Sequence, residues 1–363
     1  MSFHNKFNGK KVLITGHTGF KGSWLTLWLY LLGADITGIS LNPKTSPSNF
    51  NILGLSKNIN DKRIDILDKK KLEKEIIETQ PDFIFHLAAQ AIVRESYKDP
   101  SLTWNTNLIG TINVLDSLKK LDKKCAAVLV TSDKCYKNKE WIWGYRENDE
   151  LGGIDPYSAS KASTEIAIKS YISSFFSHED SNIRISSARA GNVIGGGDWS
   201  SDRLMPDCMR SWSNNEKVIL RNPESTRPWQ HVLEPLSGYL LLAERLYDTK
   251  KIHGESFNFG PKETETQTVL NVVKEISKYW KKVSWEIEED YTNYESGLLK
   301  LNCDKALHIL KWMPTLDFSK TIQMTSEWYM DFYNNKIDMR NLATSQIKTY
   351  CEIAKEKNLE WSL

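Results

Sequence analysis

"KKVLITGHTGFKGSWLTLWLYLLG", residues 10 to 33, decides the fold. A short apolar, β-rich run (10–16) ends in glycine, and an apolar helix (23–33) closed by Gly33 follows a few residues later. Between them Gly16, Gly19 and Gly22 are spaced GxxGxxG. Glycines at such a turn permit a tight bend, close approach of backbone to a pyrophosphate, and close packing of helix on strand. The first N–H groups of the helix would then face the anion. Three glycines near a helix start say little alone; the rest of the chain gives them meaning.

Outward from this unit the pattern repeats. "DITGISL" (35–41), "PDFIFHLAA" (81–89), "CAAVLVTSD" (125–133) and "IRISSARAGNVIG" (183–195) read as strands. "DKKKLEKEIIETQ" (68–80), "LTWNTNLIGTINVLDSLKKL" (102–121) and "SASKASTEIAIKSYISSFF" (158–176) read as the helices between them. Strands that are nearly all apolar and alternate with helices predict an α/β, doubly wound parallel sheet covered on both faces. That expectation covers residues 1–190. From 191 to 363 the alternation breaks up, and a smaller mixed α/β region is expected. It carries the helix "VLEPLSGYLLLAERLY" (232–247), and some of its segments return to the first domain.

The bulk numbers exclude several classes of function. With 48 basic and 46 acidic side chains the net charge is +2, which gives no electrostatic case for a nucleic-acid or membrane-surface partner. "WLTLWLYLLGA", the most apolar segment, is too short to span a bilayer. The five cysteines, at 125, 135, 208, 303 and 351, show no metal-ligand spacing and suggest free thiols in a reducing cytosol. The polar start "MSFHNKFNGKK" has no signal-peptide pattern, so a cytoplasmic location is expected.

The chemistry concentrates in "VTSDKCYKN" (130–138) and "YSASK" (157–161). Ser132, Asp133 and Lys134 follow an apolar run, at a strand end. Tyr157 and Lys161 lie four apart at a helix start, on one face. A phenol with a pKa near ~10 is a poor base at neutral pH, and a neighbouring ammonium lowers that value. The tyrosine could then take a proton from a sugar hydroxyl while hydride leaves to a nicotinamide. The tip of the second strand reads Ser40, Leu41, Asn42, without the usual acidic residue. Asn42 can hydrogen-bond a ribose without repelling a 2′-phosphate, so NAD and NADP both stay open. Asp65, in "RIDILD", suits the adenine edge or, equally, a turn or helix cap.

"TGHTGFKG", "HLAAQ", "TNLIGT", "TSDKCY", "YSASK" and "RAGNVIGGGDW" together resemble the extended short-chain dehydrogenase/reductases. More narrowly they resemble the CDP-glucose 4,6-dehydratase group, over almost the whole chain. The resemblance implies a Rossmann-type domain with NAD at Gly16, Thr18, Gly19, Phe20, Lys21, Gly22, Asn42, Asp65, Ile66, Leu87, Ala88, Ala89 and Asn107, besides Tyr157 and Lys161. Most sugar-nucleotide 4,6-dehydratases carry Thr-Asp-Glu at the strand end, and Ser132, Asp133 and Lys134 fall on those positions. In the implied reaction Tyr157 takes the 4-hydroxyl proton and C4 gives up hydride. A base then removes the C5 proton while Asp133 protonates the departing 6-hydroxyl, and hydride returns to C6. Lys134 stands where a glutamate usually removes the C5 proton; it is the base, or it orders water or orients Asp133. Ser132 would hold the 4-oxygen. His86 reads as a satisfied strand histidine.

On the substrate side the resemblance implies that Asn192 faces the sugar diphosphate, and that Trp199, Arg203 and Leu204 lie in a stretch that wraps the nucleotide. Arg221 and Arg227 suit diphosphate recognition through the bidentate guanidinium fork. Glu295 falls near the nucleotide ribose, and Arg94 touches substrate or orders its loop. CDP-glucose or a related nucleotide sugar is the expected partner, with a 4-epimerase or a dehydratase of another nucleotide sugar as the alternative. Asp133 weighs against the epimerases, which lack that acid. A homodimer is expected, a tetramer left open, through helices 102–121 and 158–176 with Ile166, Ile168, Ile172 and Phe175 at the interface. A 4-keto-6-deoxy product would suit deoxysugars of a cell-surface polysaccharide such as O-antigen.

Overall fold

The opening stretch folds as β1 (Lys11–Thr15) followed by α1 (Phe20–Leu31). This computed structural model describes residues 2–262, 266–280, 282–288, 298–334 and 337–363. Strands follow as β2 (Asp35–Ser40), β3 (Asn60–Arg63), β4 (Phe83–His86), β5 (Cys125–Val130) and β6 (Ile183–Ala190). Shorter ones come next: β7 (Val193–Ile194), β8 (Val218–Leu220), β9 (Thr226–Arg227), β10 (Gln230–His231), β11 (Ser256–Phe259), β12 (Gln267–Thr268) and β13 (Trp285–Ile287). The helices after α1 are α2 (Asn49–Ile52), α3 (Lys69–Thr79), α4 (Val93–Lys98), α5 (Pro100–Trp104) and α6 (Gly110–Leu118). They continue as α7 (Pro156–Tyr171), α8 (Leu204–Ser213), α9 (Leu233–Asp248), α10 (Val269–Ser277), α11 (Phe318–Asn334) and α12 (Met339–Glu356).

Seven parallel strands form one sheet in the order β11-β6-β5-β4-β1-β2-β3. The chain builds outward from β1 to β3, then returns across β1 to β4 and builds the other way. Between β1 and β4, where the direction reverses, a crevice opens beyond the carboxyl ends of the strands, and such crevices hold ligands. The strands are nearly all apolar because both faces are covered. Val12 and Ile14 join one core with Phe83, Phe85 and Val128, while Leu13 joins a second with Ile84, Ala127 and Leu129. The first core lies under α1, α9 and the C-terminal helices; the second lies under α3, α6 and α7.

Several elements differ from expectation. β3 reads "NDKR" and lies on the sheet edge, where one face of the strand needs no apolar cover. β11 is a segment of the second half that lies in the first domain's sheet, beside β6, where the sequence reading assigns no strand. The expected strand 183–195 stops at Ala190; Val193 and Ile194 pair with β10 instead, so the chain leaves the sheet at Gly191–Asn192. The helix at 102–121 starts at Pro100, ends at Leu118 and contains a π-turn over Asn105–Ile109. Ile168 and Ile172 are not surface residues: both are buried in the second core with Phe176, whereas Ile166 and Phe175 are 60% and 46% exposed.

Beyond β6 the chain forms strand pairs β10-β7, β12-β9 and β13-β8 together with α8 to α12. Glu234, at the start of α9 and 1% exposed, ties this half together. Its carboxylate accepts the Thr315 and Leu316 backbone N–H groups at 2.9 and 2.6 Å and the Tyr350 hydroxyl at 2.8 Å. Among the described residues no helix is long and apolar enough to cross a membrane.

Candidate active site

The turn between β1 and α1 is built for close approach. Gly16 has φ +77°, a region side chains avoid, and a Cβ there would lie 2.7 Å from the Ala88 backbone nitrogen. A Cβ on Gly22 would lie 2.1 Å from the Gly16 carbonyl oxygen. These two glycines let the turn fold onto itself and onto β4, and Gly19, at the N-cap of α1, leaves the helix start open to the crevice. A helix N-terminus with free N–H groups and no side chain in the way suits a dinucleotide pyrophosphate. Leu87, Ala88 and Ala89 leave β4 at the same crevice and are partly exposed. Thr18 ties the turn to the tip of β2 through Ser40 at 2.7 Å and the Leu41 carbonyl at 3.1 Å, and Asn42 lies exposed just beyond.

Three of the residues assigned to the cofactor have other partners. Asp65 Oδ1 accepts the Leu67 N–H at 2.9 Å, so this oxygen shapes a turn. The Ile66 side chain packs under Gly110 in the second core, while its carbonyl accepts from Asn113 at 3.0 Å. The Asn107 amide is 1% exposed and clamps the segment after β4 to α7: it accepts from Gln90 N–H and donates to the Gln90 carbonyl and Ser160 hydroxyl. These partners of the Asn107 amide are thus within the protein, on Gln90 and Ser160. His86 accepts or donates with Thr15 and Thr111 at 2.6 and 3.0 Å, and burial pushes its pKa down to about 3, so it stays neutral.

At the end of β5 the chain turns over Ser132, Asp133 and Lys134, and the Ser132 hydroxyl caps the turn by accepting the Lys134 N–H at 3.2 Å. Ser132 also donates to Asp133 Oδ1 at 3.0 Å. Asp133 is 3% exposed and its other oxygen, Oδ2, is buried with no partner. Burial raises the Asp133 pKa above the usual range, against the pull of Lys134, the Ser132 hydrogen bond, Lys21 and Arg227. Burial thus favours the protonated form of Asp133, the form a proton donor needs. The backbone of β6 leaves room for it: a Cβ on Gly191 would lie 2.8 Å from Oδ2.

Tyr157 and Lys161 lie on the first turns of α7, whose N-cap Asp155 accepts the Ser158 N–H. Both are buried, at 8% and 5% exposure. Burial pushes the Tyr157 phenol up to about 12, while Ser132 draws it down and Asp133 raises it. Burial lowers Lys161 to about 8, with Glu165 opposing. Lys21, from the glycine turn, is also lowered to about 8 by burial, and it feels Arg203, Asp133 and Lys161.

The arginines of the second half gather above this floor. Arg227, 7% exposed, donates to the Thr226 carbonyl and acts on Asp133. Arg203 holds Asp198 at 3.3 Å, and Arg221 forks onto Asp202 Oδ1 at 3.3 and 3.4 Å, with Arg94 Nε 3.8 Å from the same oxygen. Asn192 gives its carbonyl to the Gln230 N–H, and Leu204 opens α8, half-buried. Trp199 does not line the site: its ring is buried among Trp328, Tyr329 and Phe332, and its carbonyl accepts from Arg210. Glu295 lies outside the described residues. Sequence reading missed Asp198, Asp202, and the buried carboxylate of Glu165 below Lys161.

Residues 13–325 match the family model described as GDP-mannose 4,6 dehydratase. The chain is 44% identical over 350 residues to the CDP-glucose 4,6-dehydratase of Salmonella typhimurium, covering 95% of this chain and 97% of that one. Among solved structures it is similar to dTDP-glucose 4,6-dehydratase of Bacillus anthracis in complex with NAD, with a TM-score of 0.73 at 21% identity, over 89% of this chain and 97% of that one. It is equally similar to UDP-glucuronic acid 4-epimerase of Bacillus cereus in complex with UDP-glucuronic acid and NAD: TM-score 0.75, 22% identity, 89% and 100% covered.

Proposed function

The chain belongs to the GDP-mannose 4,6-dehydratase family, and we propose that it dehydrates CDP-glucose to the CDP-linked 4-keto-6-deoxy sugar with a recycled NAD. The observation that carries this reading is Asp133: a buried carboxyl with raised pKa and an unpartnered oxygen, bonded to the Ser132 hydroxyl that also acts on Tyr157. An epimerase has no leaving hydroxyl to protonate; a dehydratase needs this acid.

The glycine turn and the Leu87–Ala89 segment would hold NAD, which supplies the acceptor for the C4 hydrogen and returns it at C6. Tyr157 takes the 4-hydroxyl proton. Its phenol starts high because it is buried, so Lys161 and the charge of the bound cofactor must draw it down. Ser132, between Asp133 and Tyr157, holds the 4-oxygen as it becomes a ketone. That ketone acidifies C5, and Lys134 stands where a base takes the C5 proton, as the base itself or by ordering water or Asp133 there. Asp133 protonates the departing 6-oxygen, and water leaves. Arg94, Arg203, Arg221 and Arg227 hold the sugar diphosphate, with Asn192 beside it. The exposed Ile166 and Phe175 serve a homodimer.

The test is mass spectrometry of purified protein with CDP-glucose, UDP-glucose, dTDP-glucose and GDP-mannose, each with and without added NAD. Loss of one water from CDP-glucose, without net NADH, supports the reading. No loss of mass from any of the four rejects it, and water lost only from another nucleotide sugar rejects CDP-glucose as substrate.

A further inference from the structure

Behind the catalytic face of α7 lies a polar network in the interior of the protein. Glu165 is one helical turn beyond Lys161 and is 4% exposed. Its Oε1 accepts the Thr131 hydroxyl at 2.5 Å. Its Oε2 accepts the Ser187 hydroxyl at 2.9 Å and Arg189 Nη2 at 2.7 Å. Arg189, 3% exposed on β6, donates in turn to the Tyr136 hydroxyl at 2.8 Å and the Glu147 carbonyl at 3.0 Å. Tyr136 donates its own hydrogen bond to Asn258 Oδ1 at 2.7 Å. Five segments thus meet in one network: the end of β5, the loop that carries Asp133, α7, β6 and β11.

A buried ion pair of this kind stabilises little over an apolar replacement, because desolvation offsets most of the Coulomb attraction. Its retention here calls for another reason. We propose that Glu165, held by Arg189, is a positioning residue for the Tyr157–Lys161 pair: its carboxylate balances the Lys161 ammonium inside the protein and fixes α7 to the loop carrying Asp133. The inference rests on the dehydratase reading given above, in which Lys161 acts as a cation.

The charges around Lys161 make Glu165 the decisive one. Lys21 from the glycine turn faces it as a cation, and His86 of β4 is neutral. Cys135, from the turn after β5, is a buried thiol held above its usual range and so carries no charge at neutral pH. Tyr157 on the same helix and Asp133 are both raised by burial, which disfavours charge on either. Arg189 is itself paired with the carboxylate, at 2.7 Å. Burial opposes charge on Glu165, but Arg189 and the hydroxyls of Thr131 and Ser187 keep it ionised below its usual range. It is therefore the anion that keeps Lys161 protonated against burial.

The experiment is the pH profile of kcat for wild type, Glu165→Gln and Glu165→Gln/Arg189→Gln, with melting temperature recorded on the same samples. Loss of the Lys161 proton sets the alkaline limb. In Glu165→Gln that limb moves to lower pH by about one unit, since the ammonium loses its nearest opposing charge and Arg189 is left uncompensated. The double variant does not leave Arg189 buried without its carboxylate, so it reads the limb even where the single one does not fold. Its limb moves the same way by roughly half as much. An alkaline limb that stays at the wild-type position in the double variant, while melting falls, overturns the inference and leaves the network a structural one. Wild-type protein that turns over no nucleotide sugar sinks the dehydratase reading instead, so the two failures are distinct.

Discussion

Replacing Asp133 by Asn removes the proton donor and almost nothing else. The amide oxygen can still accept from Ser132, as Oδ1 does at 3.0 Å. The amide nitrogen takes the place of Oδ2, an atom that already has no partner, so no existing bond is lost. Stability should change by no more than about 1 kcal/mol, a shift in melting temperature of about 3 °C or less. Activity should fall by about 10²–10⁴-fold, the usual contribution of a positioned general acid. The oxidation at C4 does not use Asp133 and should survive. Rapid mixing of CDP-glucose with the NAD-loaded variant should therefore show reduced nicotinamide building up toward one equivalent per site, where wild type shows only a small steady-state amount. Loss of turnover by less than about tenfold would refute the acid role, since that is below what such a donor contributes. Loss of the oxidation step together with dehydration would refute the division of labour between Asp133 and Tyr157.

Gly22→Ala places a methyl 2.1 Å from the Gly16 carbonyl oxygen, and the turn must open; it should cost about 1–3 kcal/mol and strip NAD from protein passed over a sizing column. Glu234→Ala leaves the Thr315 and Leu316 N–H groups without an acceptor and should cost at least about 2 kcal/mol by urea unfolding. Burial raises the Glu234 carboxyl to about 7, so the folded state binds its proton more tightly than the unfolded state does. That contribution is fully present below the ordinary carboxyl range and is lost as pH rises through about 7. Glu234→Gln should flatten this fall, read as urea midpoints at about pH 5 and about pH 8. Ile168→Ala, in the second core, should cost about 2–5 kcal/mol, whereas Ile166→Asp should leave melting unchanged and, if the homodimer forms there, halve the mass seen by light scattering.

What could be read from the sequence follows from burial. β1, β4 and β5 are covered on both faces and must be apolar throughout, and a tight turn with no room for a Cβ must be glycine; both requirements leave unambiguous marks. β3 on the edge carries no such requirement and was invisible as "NDKR". Ile168 and Ile172 were misplaced because a core and an oligomer face ask for the same side chains. Trp199 sits beside substrate motifs, but a tryptophan does not say which way its ring turns, and here it turns inward onto Trp328. Glu165 is a lone acid in "SKASTEIA" and gave no signal by itself. Arg189 did carry one: an arginine in the apolar run "IRISSARA" must find a buried carboxylate, and α7 supplies it.

The central claim is that one hydrogen travels from C4 to C6 within a single active site. CDP-glucose carrying deuterium at C4 tests it most directly, with the product examined by mass spectrometry and NMR. The account predicts a product that has lost one water and carries the deuterium at C6, with a solvent-derived proton at C5. Deuterium lost to solvent or found in free NADH would contradict it, as would deuterium still at C4 in a product that has kept its 6-hydroxyl.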